Sequence, residues 1–156
     1  MTLKLEAPGA PFVFDRPVRF DEVDAAGILF FARFFNYAHD AMEAFFGQLP
    51  GGYVNLINHR KIGLPAVHVE ADFITPLRFG DVARIEVTCV HLGRTSCAFR
   101  HAMSRADTGA PVAVVKHVCA LVDLQAMKSV PLPDDIRALL TQHMAPLAPR
   151  SATSAM

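Results

Sequence analysis

Phe12, Phe14, Val18 and Phe20 alternate with Val13, Asp15, Pro17 and Arg19, a period of two that predicts a half-buried strand. Pro17 has no amide to donate, so the strand belongs at an edge or a bend. The alternation breaks at Asp21-Glu22-Val23-Asp24-Ala25-Ala26-Gly27. Beyond Gly27 the spacing becomes three and four. Phe31, Phe34, Phe35, Ala38, Ala41, Met42, Phe45 and Phe46 share one broad helical face, opposite Arg33, Asn36, Asp40 and Glu43. Gly47 is the stop signal. So wide an aromatic stripe predicts a long helix enclosed by a sheet. Pro50-Gly51-Gly52 then marks a turn, and Tyr53 to Lys61 a short helix.

From residue 65 onward the period of two returns. Val67, Val69, Ala71 and Phe73 alternate with His68, Glu70 and Asp72, and Ala83, Ile85, Val87 and Cys89 with Arg84, Glu86 and Thr88. Cys97, Phe99 and Met103 share a face in 95–104. Residues 112–122 are apolar on nearly both parities, the pattern of a central strand buried twice. Pro133, Asp134 and Asp135 open a last helix whose apolar positions are Ile136, Leu139 and Leu140. The order is strand, helix, then consecutive strands. It predicts one α+β domain over 1–144, with an Ala-, Pro- and Ser-rich disordered tail over 145–156.

Composition adds a partner. Hydrophobic residues make up 52% and charged residues 19%, more apolar surface than a 156-residue chain can bury alone. Part of it is expected in a subunit interface, in a homodimer at minimum. The net charge of +0 offers no broad footprint for nucleic acid or anionic lipid. No apolar run reaches the roughly 18 residues of a membrane span, and no secretory signal is visible at the N-terminus. The cytoplasm is the expected compartment. Cys89, Cys97 and Cys119 are odd in number and form no CxxC pair, so they are expected as buried free thiols. No HExxH is present and the His117/Cys119 pair is too little for a metal, so no metal is expected.

Asp24 stands just before the expected helix. An acid there caps or complements the positive helix end. Its neighbours Ala25, Ala26 and Gly27 are small enough for a ligand to approach the backbone. A carboxylate beside unpaired amide donors suits acyl transfer, because the donors stabilise an oxyanion while the carboxylate attacks or activates water. No GxSxG elbow is present.

The run Arg19-Phe20-Asp21-Glu22-Val23-Asp24-Ala25-Ala26-Gly27-Ile28-Leu29-Phe30-Phe31 resembles the signature of the 4-hydroxybenzoyl-CoA thioesterase family of hotdog-fold enzymes. The similarity continues through Ala71-Asp72-Phe73, Pro76-Leu77-Arg78-Phe79-Gly80-Asp81, Gly93-Arg94-Thr95-Ser96 and Arg100-His101-Ala102-Met103-Ser104-Arg105. The resemblance implies an antiparallel sheet wrapped around a long central helix. It implies hydrolysis of an acyl-CoA thioester with no cofactor, since CoA is part of the substrate, and it favours an aromatic acid such as 4-hydroxybenzoate; short or medium aliphatic acyl groups and acyl-carrier-protein esters stay open. Asp24 matches the catalytic aspartate, as nucleophile or as general base. Phe31 matches the position whose backbone amide polarises the thioester carbonyl, and Gly27 permits close approach. Arg94 and Ser96 match the segment that contacts CoA phosphates, although Gly93 and Thr95 interrupt a run that is more basic in some relatives. The resemblance also implies dimers paired edge to edge, with the site between two subunits, and is compatible with a tetramer.

Two other readings remain open. A hotdog hydratase or dehydratase generally carries a His/Asp or His/Glu pairing that is not found here. A non-catalytic acyl-CoA-binding protein predicts loss of the acid that Asp24 retains. His59, His68 and His101 are read as packing or surface residues, and Glu70 and Asp72 as a solvated face. Asn36 and Tyr37 could reach an acyl pocket from the helix, and Phe30, Phe34 and Phe45 are read as core.

Overall fold

A computed structural model describes residues 9–145; the expected tail lies outside the described residues, Ala145 excepted. The alternating segments form β1 (Phe12–Pro17), β3 (Ala66–Phe73), β4 (Val82–Leu92), β5 (Ser96–Arg105) and β6 (Pro111–Ala120). They pair antiparallel in the order β1-β4-β5-β6-β3. Pro17 accordingly lies on an edge strand, where its missing donor costs nothing. The order corrects one expectation. The strand of residues 112–122 is not central: β5 is, and the outward side of β6 leaves Lys116 exposed. Its apolar character on both parities therefore does not reflect double burial within one chain.

The inward positions Ala83, Ile85, Val87 and Cys89 of β4 and Cys97, Phe99, His101 and Met103 of β5 are buried. Against this face packs α1 (Arg33–Phe46), a helix of fourteen residues and roughly 21 Å. In its last turn Phe45 is fully buried, edge-on to Phe12 (5.7 Å), Phe46 (5.3 Å) and Phe99 (5.5 Å). Full burial of such a ring contributes about 1.5–3 kcal/mol.

The helix is shorter than its sequence pattern, because residues 28 and 29 are taken by other partners. Ile28 bridges Arg78, Leu29 bridges Val23, and the Leu29 amide donates to the Leu77 carbonyl at 2.7 Å. Four side-chain assignments also differ from expectation. Phe30, Phe31 and Phe35 are exposed rather than buried, and Tyr37, absent from the expected face, is fully buried.

The remaining elements close the ends. They are α2 (Gly52–Asn58), the small sheet of β2 (Ile62–Gly63), β7 (Val122–Asp123) and β8 (Lys128–Ser129), and α3 (Asp134–Gln142). Arg60 clamps Asp135 with two bonds of 2.6 and 2.9 Å. The chain after α3 pairs with the bulge of β4, where the Cys89 amide donates to the His143 carbonyl and the Ala145 amide to the Cys89 carbonyl, both at 2.9 Å. All three cysteines are buried free thiols, and burial pushes the Cys119 thiol up to about 12. Among the described residues, no helix is long and apolar enough to cross a membrane.

Candidate active site

Residues 23–29 form a small hairpin. Val23 bridges Leu29, the Asp24 amide donates to the Ile28 carbonyl at 2.9 Å, and the Gly27 amide donates back to the Asp24 carbonyl at 2.9 Å. Gly27 holds φ +78°, the left-handed conformation that glycine adopts without strain. A Cβ there would meet nothing within 4 Å, so the turn requires this glycine for its backbone angle and not for a crowded approach.

Asp24 caps this turn and not the helix, which corrects the expectation of a helix-start acid. Its Oδ1 accepts from the Ala26 amide at 2.8 Å and more weakly from the Ile28 amide at 3.4 Å. Such an Asx-type turn orients the carboxylate through one oxygen. Oδ2 accepts from no group among the described residues.

The chain then runs into α1. The Phe30 amide donates to the Glu22 carbonyl at 3.0 Å. Arg33, Phe34 and Phe35 donate to the carbonyls of Phe30, Phe31 and Ala32 at 2.8, 3.2 and 3.3 Å, a tight first turn. The Phe31 and Ala32 amides donate to nothing among the described residues. They are the orphan donors of a helix start, at its positive end. One nine-residue loop, 24–32, thus carries both a carboxylate oxygen without a partner and amide donors without acceptors.

Beneath the loop lies a polar cluster that the sequence pattern did not reveal. Glu22 is 4% exposed and accepts from the Tyr37 hydroxyl (2.8 Å), Arg16 (2.8 Å) and the Arg19 amide (2.9 Å). Arg16 also reaches Asp40 at 3.2 Å and lies 4.6 Å over the Tyr37 ring. Burial and the bond to Glu22 hold the Tyr37 phenol well above its ordinary range, so it stays a donor. The cluster ties β1, the loop and α1 together. The Tyr37 hydroxyl is thereby engaged by Glu22, and Asn36 is exposed; neither lines the two cavities described below.

Apolar space adjoins the free amides. A cleft of about 290 Å³ is lined by Ile28, Phe31, Phe34, Phe73 and Pro76. A second cavity, of about 220 Å³, lies further along the seam between α1 and β3, where Phe35, Ala38 and Met42 face Val69. Of the three histidines considered from sequence, His59 and His68 are exposed and His101 is buried; His68 bonds Glu70 at 2.9 Å.

Arg94 and Ser96 lie elsewhere. They form the turn between β4 and β5, with the Gly93 amide donating to the Ser96 carbonyl at 2.8 Å and the Leu132 amide to the Arg94 carbonyl at 2.9 Å. Pro17 pairs with Val82, so the Asp24 loop leaves from the opposite end of β4. Eleven residues of strand, roughly 35 Å of chain, separate the two. Within one chain, Asp24 and Arg94 are not brought together.

This arrangement has known counterparts. Residues 18–140 match the model of the thioesterase-like superfamily. The chain belongs to that superfamily. A 1,4-dihydroxy-2-naphthoyl-CoA hydrolase of Synechococcus sp. (strain RCC307) is 33% identical over 132 residues, covering 77% of this chain and 93% of the relative. A thioesterase-superfamily structure from Jannaschia sp. CCS1 superposes with a TM-score of 0.81 at 28% identity, covering 89% of this chain and 96% of that one. A gentisyl-coenzyme A thioesterase superposes with a TM-score of 0.73 at 25% identity, covering 83% and 99%. The fold is the hotdog fold of these thioesterases. Membership is established at the level of the superfamily, broader than the 4-hydroxybenzoyl-CoA family that the sequence motifs resemble.

Proposed function

We propose that this protein hydrolyses a CoA thioester of an aromatic acid. One observation carries the reading: the loop that holds an Asp24 Oδ2 without a partner among the described residues also holds the Phe31 and Ala32 amides, likewise without acceptors there, beside an apolar cleft. A thioester carbonyl at the Phe31 amide gains a donor where negative charge develops. One such donor contributes about 10²–10³ in rate. Asp24 then serves in either of two ways. It accepts the proton of a water whose oxygen bonds the acyl carbon, or it attacks that carbon and is later released by water. In both, the carbon–sulfur bond breaks and CoA leaves as the thiol. The acyl acid is the other product.

The aromatic class is supported by the names of the relatives, 1,4-dihydroxy-2-naphthoyl-CoA hydrolase and gentisyl-CoA thioesterase. The cleft beside the amide, rimmed by Phe31, Phe34 and Phe73, suits a flat ring. A 4-hydroxybenzoyl ester belongs to the same class.

The site is shared between two subunits in this reading. β3 is an edge strand that exposes Val67, Val69 and Phe73. Such an edge invites pairing with a second copy. A two-fold axis pairs identical edges antiparallel, which sets the Phe73 end of one chain beside the Ala66 end of its partner. The Phe73 end adjoins Phe31, and the Ala66 end adjoins Cys119 and, through it, the start of β5 at Ser96. Antiparallel pairing therefore carries the partner's CoA-binding turn, Arg94 and Ser96, toward Asp24.

The test is thiol release from 4-hydroxybenzoyl-, 1,4-dihydroxy-2-naphthoyl-, benzoyl-, butyryl- and octanoyl-CoA. Faster release from the aromatic esters is expected. No release from any of them, with CoA still bound, assigns the protein to acyl-CoA binding without turnover.

A further inference from the structure

Two histidines occupy inward positions of the apolar sheet face. His101 on β5 and His117 on β6 stack with ring centroids 4.9 Å apart and planes 5° from parallel. Nε2 of His101 and Nδ1 of His117 are 3.0 Å apart, and Phe99 stacks 5.2 Å from His117. Burial pushes the His101 imidazole down to about 3 and the His117 imidazole, beside His39, down to about 4. Each ring is then neutral near pH 7, with one N–H and one bare nitrogen.

A single proton lies between the two rings, so their remaining nitrogens have opposite characters. His101 Nδ1 is buried and has no partner among the described residues. A sealed N–H without an acceptor is rarer in proteins than an under-used acceptor. The favoured arrangement thus leaves that nitrogen bare, with His101 Nε2–H donating to His117 Nδ1. His117 must then carry its proton on Nε2.

That second nitrogen has somewhere to act. The His117 ring is 8% exposed and lines the 220 Å³ cavity. Its Nδ1 faces His101, and its Nε2 has no partner among the described residues. The other walls are largely apolar, with Phe35, Ala38, Met42 and Val69 among them. An apolar cavity of about 150 Å³ takes a benzene ring, so this one has room for a ring with a substituent. Phe35 lies one helical turn beyond Phe31, and Val69 four residues before Phe73, so the cavity continues the seam that begins at the catalytic cleft. Val69, the β3 partner of His117, lies four residues, about 13 Å of strand, from Phe73 at the cleft. That is the span of an aryl-acyl group with a hydrogen bond at each end.

We propose that His117, oriented by His101, donates a hydrogen bond to an oxygen substituent at the far end of the acyl group. The residue thereby selects hydroxylated aryl-acyl esters over their unsubstituted counterparts. This rests on the thioesterase reading for the placement of the thioester at Phe31. His101 is a positioning residue: it takes up His117 Nδ1 and so fixes which nitrogen meets the ligand.

The experiment compares 4-hydroxyphenacyl-CoA with phenacyl-CoA, thioether analogues that cannot be hydrolysed, by calorimetry on the full-length protein. The wild type should bind the hydroxylated analogue tighter by about tenfold or more, the effect of one well-placed hydrogen bond. In His117→Phe the ratio should fall to near one, with affinity for phenacyl-CoA kept within threefold. A ratio near one in the wild type, or an undiminished ratio in the variant, overturns the proposal. Imidazole ¹⁵N spectra of the wild type provide a readout that does not depend on the variant folding. The His117 Nε2 signal should shift with the hydroxylated analogue and not with its partner, and equal shifts contradict the proposal. Thiol release from the matching esters separates the two claims. Turnover without a binding ratio removes the role of His117 alone, and a binding ratio without turnover removes the thioesterase reading alone.

Discussion

Single residues divide here into Asp24, proposed as the reacting group, and those that hold its loop in place. Asp24 was conspicuous in the sequence as an acid followed by small residues, but its setting was not. The hairpin that captures it forms through the bridges Val23–Leu29 and Ile28–Arg78, long-range choices that helical periodicity does not encode. Glu22 was hidden for a different reason. An acid in a polar break reads as solvated, and its burial follows from the Tyr37 hydroxyl and Arg16 that donate to it in the fold. Removing Glu22 leaves Arg16 and the Tyr37 hydroxyl without it. Arg16 keeps Asp40, so Glu22→Ala should cost about 1–3 kcal/mol by urea denaturation, chiefly from the orphaned Tyr37 hydroxyl, and a loss below about 0.5 kcal/mol would show that the cluster is incidental.

The His101–His117 pair makes a prediction with a definite sign. Both folded-state pKa values lie below the unfolded value of about 6.5. The unfolded chain therefore binds more protons between pH 6.5 and about 4, and stability falls as pH falls through that window. The pair should remove on the order of 3 kcal/mol between pH 7 and pH 5. Urea titrations at both pH values check this, and the double variant His101→Leu, His117→Leu should flatten the dependence.

At the scale of elements, β1, β4 and α1 were legible because their burial follows one clean period. The boundaries of α1 were not, since its first expected turn is diverted into pairing with Leu77 and Arg78. Phe35 and Phe45 illustrate the consequence. Both lie on the apolar stripe, yet Phe45 is fully buried among Phe12, Phe46 and Phe99, while Phe35 is at a cavity wall and exposed. Phe45→Ala should cost about 3–5 kcal/mol and Phe35→Ala far less, as measured by thermal or urea unfolding. Equal costs would mean that the helix packs differently. β3 shows the reverse limit: its alternation predicted a half-buried strand, whereas both faces are largely exposed in one chain.

For the whole molecule, the apolar excess visible in composition is found as an exposed edge and seam along β3 and the start of α1. If β3 is the dimer edge, as proposed, Val67→Lys, away from the cavity wall, should yield monomers in sedimentation and lose thiol release together with the dimer. The distance between Asp24 and Arg94 within a chain adds a sharper expectation. Asp24→Asn and Arg94→Ala homodimers should each be impaired, the first in kcat and the second mainly in KM. Heterodimers of the two should regain one intact site. Activity that fails to recover on mixing and subunit exchange would place both residues in one chain's site.

The catalytic assignment of Asp24 is tested most directly by Asp24→Asn, which keeps the size of the side chain and the Oδ1 acceptor while removing the carboxylate. Thiol release from the best aromatic ester should fall by about 10³ or more, in the range seen when a catalytic carboxylate is lost. Affinity for a thioether analogue should stay within threefold of wild type. More than a tenth of wild-type turnover in the folded variant would contradict the mechanism at its centre.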